Sequence, residues 1–272
     1  MRRGGKSVID RKNVFKGADG RYYCMKCKEP VEEFYPKGSV KENKKHHRQC
    51  ACERKYYEQD MRYHKEKEQC ERILRNKSIC FSETVMQNWT FENAKNDNGL
   101  PVEKAKQYVA NWTKMKQMHM GYMFWGSVGT GKSFLAGCIA NALLDQGVTV
   151  KMTNFNTILN DLFALQEKEE YIQALSKYEL LIIDDFGMER NTEYALENVF
   201  SVIDRRYCSG RPLIVTTNLS LANMKQEPDL LKQRIYDRVL QMCVPVKVDG
   251  ESRRKKMASD NLQLMKKIIQ DE

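Results

Sequence analysis

The sequence predicts an α/β domain, a parallel sheet with helices on both faces, preceded by a small cysteine-bearing module and a helical connector. Three observations predict it. From Gly121 onward, short apolar runs alternate with longer amphipathic stretches, the pattern of strands joined by crossover helices. One strand-to-helix junction reads "GSVGTGKS", Gly126 to Ser133, a glycine-rich loop ending in Lys-Ser. Charge is also segregated: residues 1–80 hold 22 Lys+Arg against 12 Asp+Glu, and residues 81–272 hold 24 of each. The formal excess of +10 therefore lies in the first third, which points to a polyanion or an acidic protein surface as partner, or to a charged, solvated helix.

In chain order, residues 1–52 are poor in apolar residues and carry Gly, Pro and Cys, which suits a small loop-rich module. Residues 53–80 open with "ERKYYEQDMRYHKEKEQCERILRNK", mostly charged and free of Gly and Pro, which predicts an exposed connecting helix. The larger domain is expected over 81–272. "NDNGLP" at 96–101 predicts a turn. Pro101 opens a predicted helix through about Met118, with Val102, Ala105, Val109 and Trp112 at helical spacing. Predicted strands follow at 122–125, 148–152, 180–184, 213–217 and 244–248. Predicted helices lie between them, near 132–146, 155–165, 192–208 and 229–241, and a basic helix closes the chain at 253–270.

No window approaches 18 consecutive apolar residues, so no membrane-spanning helix is expected. The basic opening "MRRGGKSVIDRKN" has no apolar run behind it, so no secretory leader is expected. The cytoplasm is the predicted compartment, where thiols stay reduced. The nine cysteines are then free or metal-bound.

The loop fits G-x-x-x-x-G-K-[ST] at every fixed position, with a strand before it and the helix-forming "SFLAGCIANALL" after it. The chemistry needs this spacing. Glycines let the backbone wrap phosphate oxygens with its N–H groups, and the helix N-terminus adds partial positive charge. The predicted nucleotide-binding residues are Gly126, Ser127, Val128, Gly129, Thr130, Gly131, Lys132, Ser133 and Phe134. Lys132 is expected to reach the β/γ-phosphates, and the Ser133 hydroxyl to ligate Mg²⁺. "LLIIDDFG" ends a buried strand in two carboxylates. Asp184 is the second predicted magnesium ligand, and Asp185 the residue that orients or deprotonates the attacking water, unless it serves only as a helix cap. "LIVTTN" ends a strand in Thr216, Thr217 and Asn218, where a polar group, Asn218 first, is expected to lie between Mg²⁺ and the γ-phosphate and hold that water, or to make a simple turn.

Cys24-x2-Cys27 is followed by 22 residues and then Cys50-x-Cys52. Four soft ligands in two close pairs suit tetrahedral Zn²⁺. A redox pair normally starts a helix beside a βαβ unit, and nothing here supplies one. His46 and His47 are candidate substitutes for one cysteine. A segment this short and polar needs a metal to fold. Tyr22, Tyr23, Phe34, Tyr35, Tyr56 and Tyr57 lie among the basic residues, placed either to stack bases or to form a small core around the metal.

"GSVGTGKS", "LLIIDDFG", "VIDRRY", "TTN" and "GESRR", in this order and spacing, resemble the AAA+ ATPases of the DnaC/DnaI helicase-loader and IstB transposition-helper group. "NWTFENA" at 88–94 also resembles the group's segment beside the adenine pocket. The resemblance runs from about Trp89 to Lys256. It implies an AAA+ domain with an abbreviated lid that binds ATP and Mg²⁺, self-associates through the ATPase interface and hydrolyses slowly, the Asp-Asp pair replacing the usual Asp-Glu. It places the arginine offered to a neighbouring subunit's nucleotide in "LKQRIYDRV", at Arg238 or, second, Arg234. It places the phosphate-sensing arginine of the same chain at Arg254, with Arg253 as alternative. For partners it implies a hexameric replicative DNA helicase, gripped through the N-terminal module, and single-stranded DNA. A transposition helper and an adaptor acting through its zinc module are the alternatives.

Overall fold

The computed structural model describes residues 13–94, 99–190 and 192–270. Residues 96–98 of the predicted turn lie outside them. The chain divides into two compact units between Glu71 and Arg72.

The first unit holds two short hairpins. Strands β1 (Val14–Lys16) and β2 (Tyr22–Cys24) pair antiparallel, with Phe15 opposite Tyr23. Their turn is fixed by Asp19, which accepts from the Arg21 N–H at 3.1 Å and the Tyr23 hydroxyl at 2.6 Å. Strands β3 (Glu32–Phe34) and β4 (Lys45–His47) form the second hairpin, with Phe34 opposite Lys45. Among the described residues of this unit only Val31 and Cys50 are buried apolar residues, so burial there supplies little stability. Helix α1 (Ala51–Cys80) follows and is almost wholly exposed until its end.

In the second unit, Lys77 of that helix pairs with Asp145 at 2.9 Å, and Lys151 donates to the Ile79 carbonyl at 2.8 Å. Cys80 and Phe81 enter the core. A 3₁₀ turn (Thr84–Asn88) leads on to α2 (Leu100–Ala110) and α3 (Trp112–Gln117). The sequence predicts one helix here. The break falls at Asn111, which has left helical geometry and donates its side-chain amide to the Gln107 carbonyl.

The sheet is five-stranded and parallel throughout, as its alternation predicts. In chain order it contains β5 (Gly121–Trp125), β6 (Val150–Asn154), β7 (Leu180–Phe186), β8 (Leu213–Thr217) and β9 (Cys243–Lys247). The spatial order is β6-β7-β8-β5-β9. Successive residues of a strand face opposite sides. Phe124, Leu180, Ile182 and Ile214 pack under α2 and α4 (Lys132–Asp145). Met123, Leu181, Ile183 and Val215 pack under α5 (Phe155–Ala164), α6 (Lys168–Lys177), α7 (Glu193–Cys208) and α9 (Leu230–Met242). The short helix α8 (Leu221–Lys225) and the terminal α10 (Arg253–Gln270) complete the unit. No helix among the described residues is long and apolar enough to cross a membrane.

One buried cation ties this layer together. Arg206 of α7 is 1% exposed, and its guanidinium donates to the carbonyls of Ser176, Tyr178, Glu179 and Pro212. Burial holds its pKa down, to about 9. Replacement by Met would leave those carbonyls without their donor. We expect Arg206→Met to destabilise the domain by about 3 kcal/mol or more in urea unfolding, far beyond a surface change.

Candidate nucleotide and zinc sites

The first site lies at the carboxyl ends of the strands, where open α/β sheets bind their ligands. A cleft of about 830 Å³ opens there. Val128, Gly129, Gly131, Lys132, Ser133 and Phe134 line it, from the loop between β5 and α4. Gly126, Ser127 and Thr130 shape that loop from behind, and the Thr130 hydroxyl donates to the Ser127 carbonyl at 2.9 Å. Gly129 has φ +83°, and a Cβ there would lie 2.2 Å from the Ser252 hydroxyl. Both facts exclude a larger residue at this position.

Lys132 is 5% exposed and donates to the carbonyls of Gly126 at 3.0 Å and Ser127 at 2.7 Å. Burial lowers its pKa, and the charges of Asp185 and Asp184 oppose that shift. A cation held at a desolvation cost beside a glycine loop fits an incoming polyphosphate. Asp184 accepts from the Thr216 hydroxyl at 2.5 Å, and the same hydroxyl accepts from the Asp185 N–H at 3.0 Å. Thr216 on β8 therefore orients the Asp184 carboxylate and pins the Asp185 backbone at the end of β7. Asp185 takes φ +51°, where the β7–β8 register slips between Ile183 and Phe186. That slip turns its carboxylate into the cleft, where burial and Asp184 raise its pKa. With Ser133, these groups form the hydroxyl-and-carboxylate donor set that Mg²⁺ uses beside a phosphate.

Asn218, Arg253 and Arg254 also line the cleft. The charge of Arg254 acts on both Lys132 and Asp185. The guanidinium of Arg253 lies 5.9 Å from the Phe134 ring centre, and the Arg253 backbone N–H donates to the Gly129 carbonyl at 2.9 Å. The other predicted arginines sit elsewhere. Arg238 pairs with Asp204 of α7 and stacks on Phe200 and Tyr207 at 4.7 and 5.5 Å. Arg234 lies over the same Phe200 at 4.7 Å. Neither lines the cleft of its own chain.

Two contributors, Glu189 and Asn141, were not legible in the sequence. Glu189 lines the cleft, accepts from the Gly187 N–H at 2.8 Å, and has its pKa raised by burial. Asn141, 1% exposed in α4, donates to the carbonyls of Met86 and Trp89 and so fixes the segment carrying Trp89. Trp89 in turn lies 5.9 Å from Phe134, against Gly137, where any Cβ would meet its ring at 2.4 Å. The polar Asn141 inside "CIANALL" is the signal that points to such a tether.

The second site is the cysteine cluster of the first unit. The sulfurs of Cys24, Cys27, Cys50 and Cys52 lie within 4.8 Å of one another, the only such group among the described residues. Cys24 and Cys27 flank a tight turn closed by the Lys28 N–H on the Cys24 carbonyl. Cys50 and Cys52 straddle the start of α1, which Glu29 anchors by accepting from the Ala51 N–H and Arg54. The Glu29 N–H holds the Cys27 thiol down to about 6, while burial and the facing thiols push Cys52 up to about 11. Four thiolates cannot share this space without a cation, and the donor set fits Zn²⁺. The histidines turn elsewhere: His47 meets Glu53 at 2.9 Å, and His46 packs edge-on against Tyr35.

A glycine loop around a desolvated lysine, with paired carboxylates across from it, defines a P-loop nucleotide-binding domain of the AAA+ class. Residues 58–261 match the model of the IstB-like ATP binding protein family, and the chain belongs to it. It is 32% identical over 163 residues to the replicative helicase loader DnaC of Escherichia coli (strain K12), covering 56% of this chain and 63% of that protein. It is 26% identical over 147 residues to the replicative helicase loader DnaI of Bacillus subtilis (strain 168), covering 49% and 47%. The chain thus spans less than two thirds of the length of these relatives. The crystal structure of DnaI shares its fold, with a TM-score of 0.55 and 20% identity over 66% of this chain and 99% of that one. The crystal structure of the DnaC helicase loader gives 0.53 and 20% over 61% and 100%.

Proposed function

We propose that the chain is a Mg·ATP-dependent loader of a replicative DNA helicase, acting in the cytoplasm. The observation that carries this reading is the cleft itself, with Lys132, Asp185, Asn218 and Arg254 on its walls, in a chain related to two helicase loaders. In it Lys132 and the loop N–H groups hold the phosphates, and Ser133 and Asp184 hold Mg²⁺. Asp185 and Asn218 position the attacking water. Arg254 neutralises the γ-phosphate within the chain. ATP supplies the energy and the switch between grip and release.

The chain self-associates through this cleft and presents Arg238 to the neighbouring nucleotide. The hexameric helicase docks on the zinc-bearing module, and the complex places that ring on single-stranded DNA. Steady-state turnover with and without single-stranded DNA tests the enzymatic part. Turnover that rises with protein concentration supports it; none under either condition favours the adaptor reading. Arg238→Ala is expected to retain ATP binding and to lower concentration-dependent turnover at least about tenfold. Undiminished turnover would move the trans arginine to Arg234.

A further inference from the structure

The two hairpins of the first unit carry rings that no core requires. Phe15 is 37% exposed and Phe34 is 44% exposed. Cross-strand pairing puts Tyr23 beside Phe15 on one face, and the rings stack at 5.7 Å and 26°. Val14 and Cys24, the next pair along, face the other way, toward the sulfur cluster. The outward rings are therefore surplus to the metal site.

Each ring is covered by a cation. Lys28 lies 5.0 Å above Phe15, and Lys45 lies 5.3 Å above Phe34. Lys45 also donates to the Gly20 carbonyl in the turn of the first hairpin. The Phe34 ring thus stands beside the turn of the Phe15 hairpin, through the lysine that covers it. The acids of this surface are already engaged: Asp19 with Arg21 and Tyr23, Glu32 with Lys45, and Glu33 with Arg48. Lys28 forms no ion pair among the described residues. Its charge is left for an outside anion.

We infer that this surface binds single-stranded nucleic acid. Flat rings offer stacking to any base, and a lysine resting on a ring moves a short way to reach a phosphate as a base takes its place. An acidic protein would use the charge but not the rings; a duplex would offer phosphates but no free base faces. The inference extends the loader reading by giving single-stranded DNA a site outside the ATPase domain, yet it stands without ATP turnover.

The test is fluorescence anisotropy of the full chain with labelled oligothymidylate, oligouridylate and a duplex control. Phe15→Ala/Phe34→Ala is expected to bind the single strands at least about tenfold more weakly, as the loss of one or two stacked bases predicts. Zinc content and ATP binding should stay as in the wild type. Lys28→Ala is expected to reduce the slope of log affinity on log salt by about 0.7. Photo-crosslinking with a 4-thiothymidine oligonucleotide reads the site directly, and adducts on Phe15, Tyr23 or Phe34 support the assignment. Unchanged affinity in the zinc-retaining double variant, or crosslinks confined to residues beyond Glu71, would overturn it. So would a double variant that keeps oligonucleotide binding and loses helicase binding, which would give the surface to the protein partner.

Discussion

Lys132→Ala is expected to lose ATP binding by a hundredfold or more while the domain stays folded. The size follows from the contacts. An ammonium that reaches two phosphates makes two charge-assisted bonds, each about 1.5–3 kcal/mol, and about 3 kcal/mol is more than a hundredfold in affinity. The folded state should tolerate the change. Before nucleotide arrives, Lys132 donates only to the Gly126 and Ser127 carbonyls, and its burial penalises the charge. Titration with a fluorescent ATP analogue measures the loss. A thermal melt supplies the control: ATP should raise the wild-type midpoint and leave that of the variant unmoved, since only a bound ligand stabilises. Normal affinity in the variant would refute the site.

Cys24→Ser is expected to abolish zinc binding and unfold the first unit, leaving ATP affinity intact. Three-residue strands, and two buried apolar residues among those described, fall short of what a stable unit needs. A structural zinc contributes about 10–16 kcal/mol of apparent binding energy to folding. Without it only a few hydrogen bonds, such as that of Lys45 to the Gly20 carbonyl, join the hairpins. Metal analysis should give one zinc per wild-type chain and none in the variant. Limited proteolysis should then remove residues before Glu71 and leave the second unit, whose core is separate. A zinc-free wild-type chain that resists the protease would show that the cysteines pack without metal.

The sheet and its loop were legible because their signals are local. Parallel strands buried on both faces read as short apolar runs, and Gly126 to Ser133 carries its own geometry. The cysteine spacing was legible for a similar reason, since each pair closes within a few residues. What the sequence hid depends on chain segments far apart. Arg238 has Asp237 as its neighbour in sequence, but a helix sends adjacent residues in different directions, and its partner is Asp204 on α7. Thr216 is one of three polar residues that end its strand, and its partners, Asp184 and Asp185, emerge only once β8 is seen between the loop strand and the carboxylate strand. The break at Asn111 interrupts an unbroken apolar stripe, because a local side-chain bond competes with the helix there. His46 and His47 stood near the cysteines in sequence, but the β4 register carries them to Tyr35 and Glu53.

The central claim is that ATP binding in this cleft serves the loading of a replicative helicase. Affinity purification of the tagged chain from its host, with ATP present and in parallel with the Lys132→Ala variant, tests it most directly. The loader assignment predicts that the wild type retains the hexameric replicative helicase and that the variant alters that retention. Recovery of a transposase in its place, with no helicase in either sample, would contradict it.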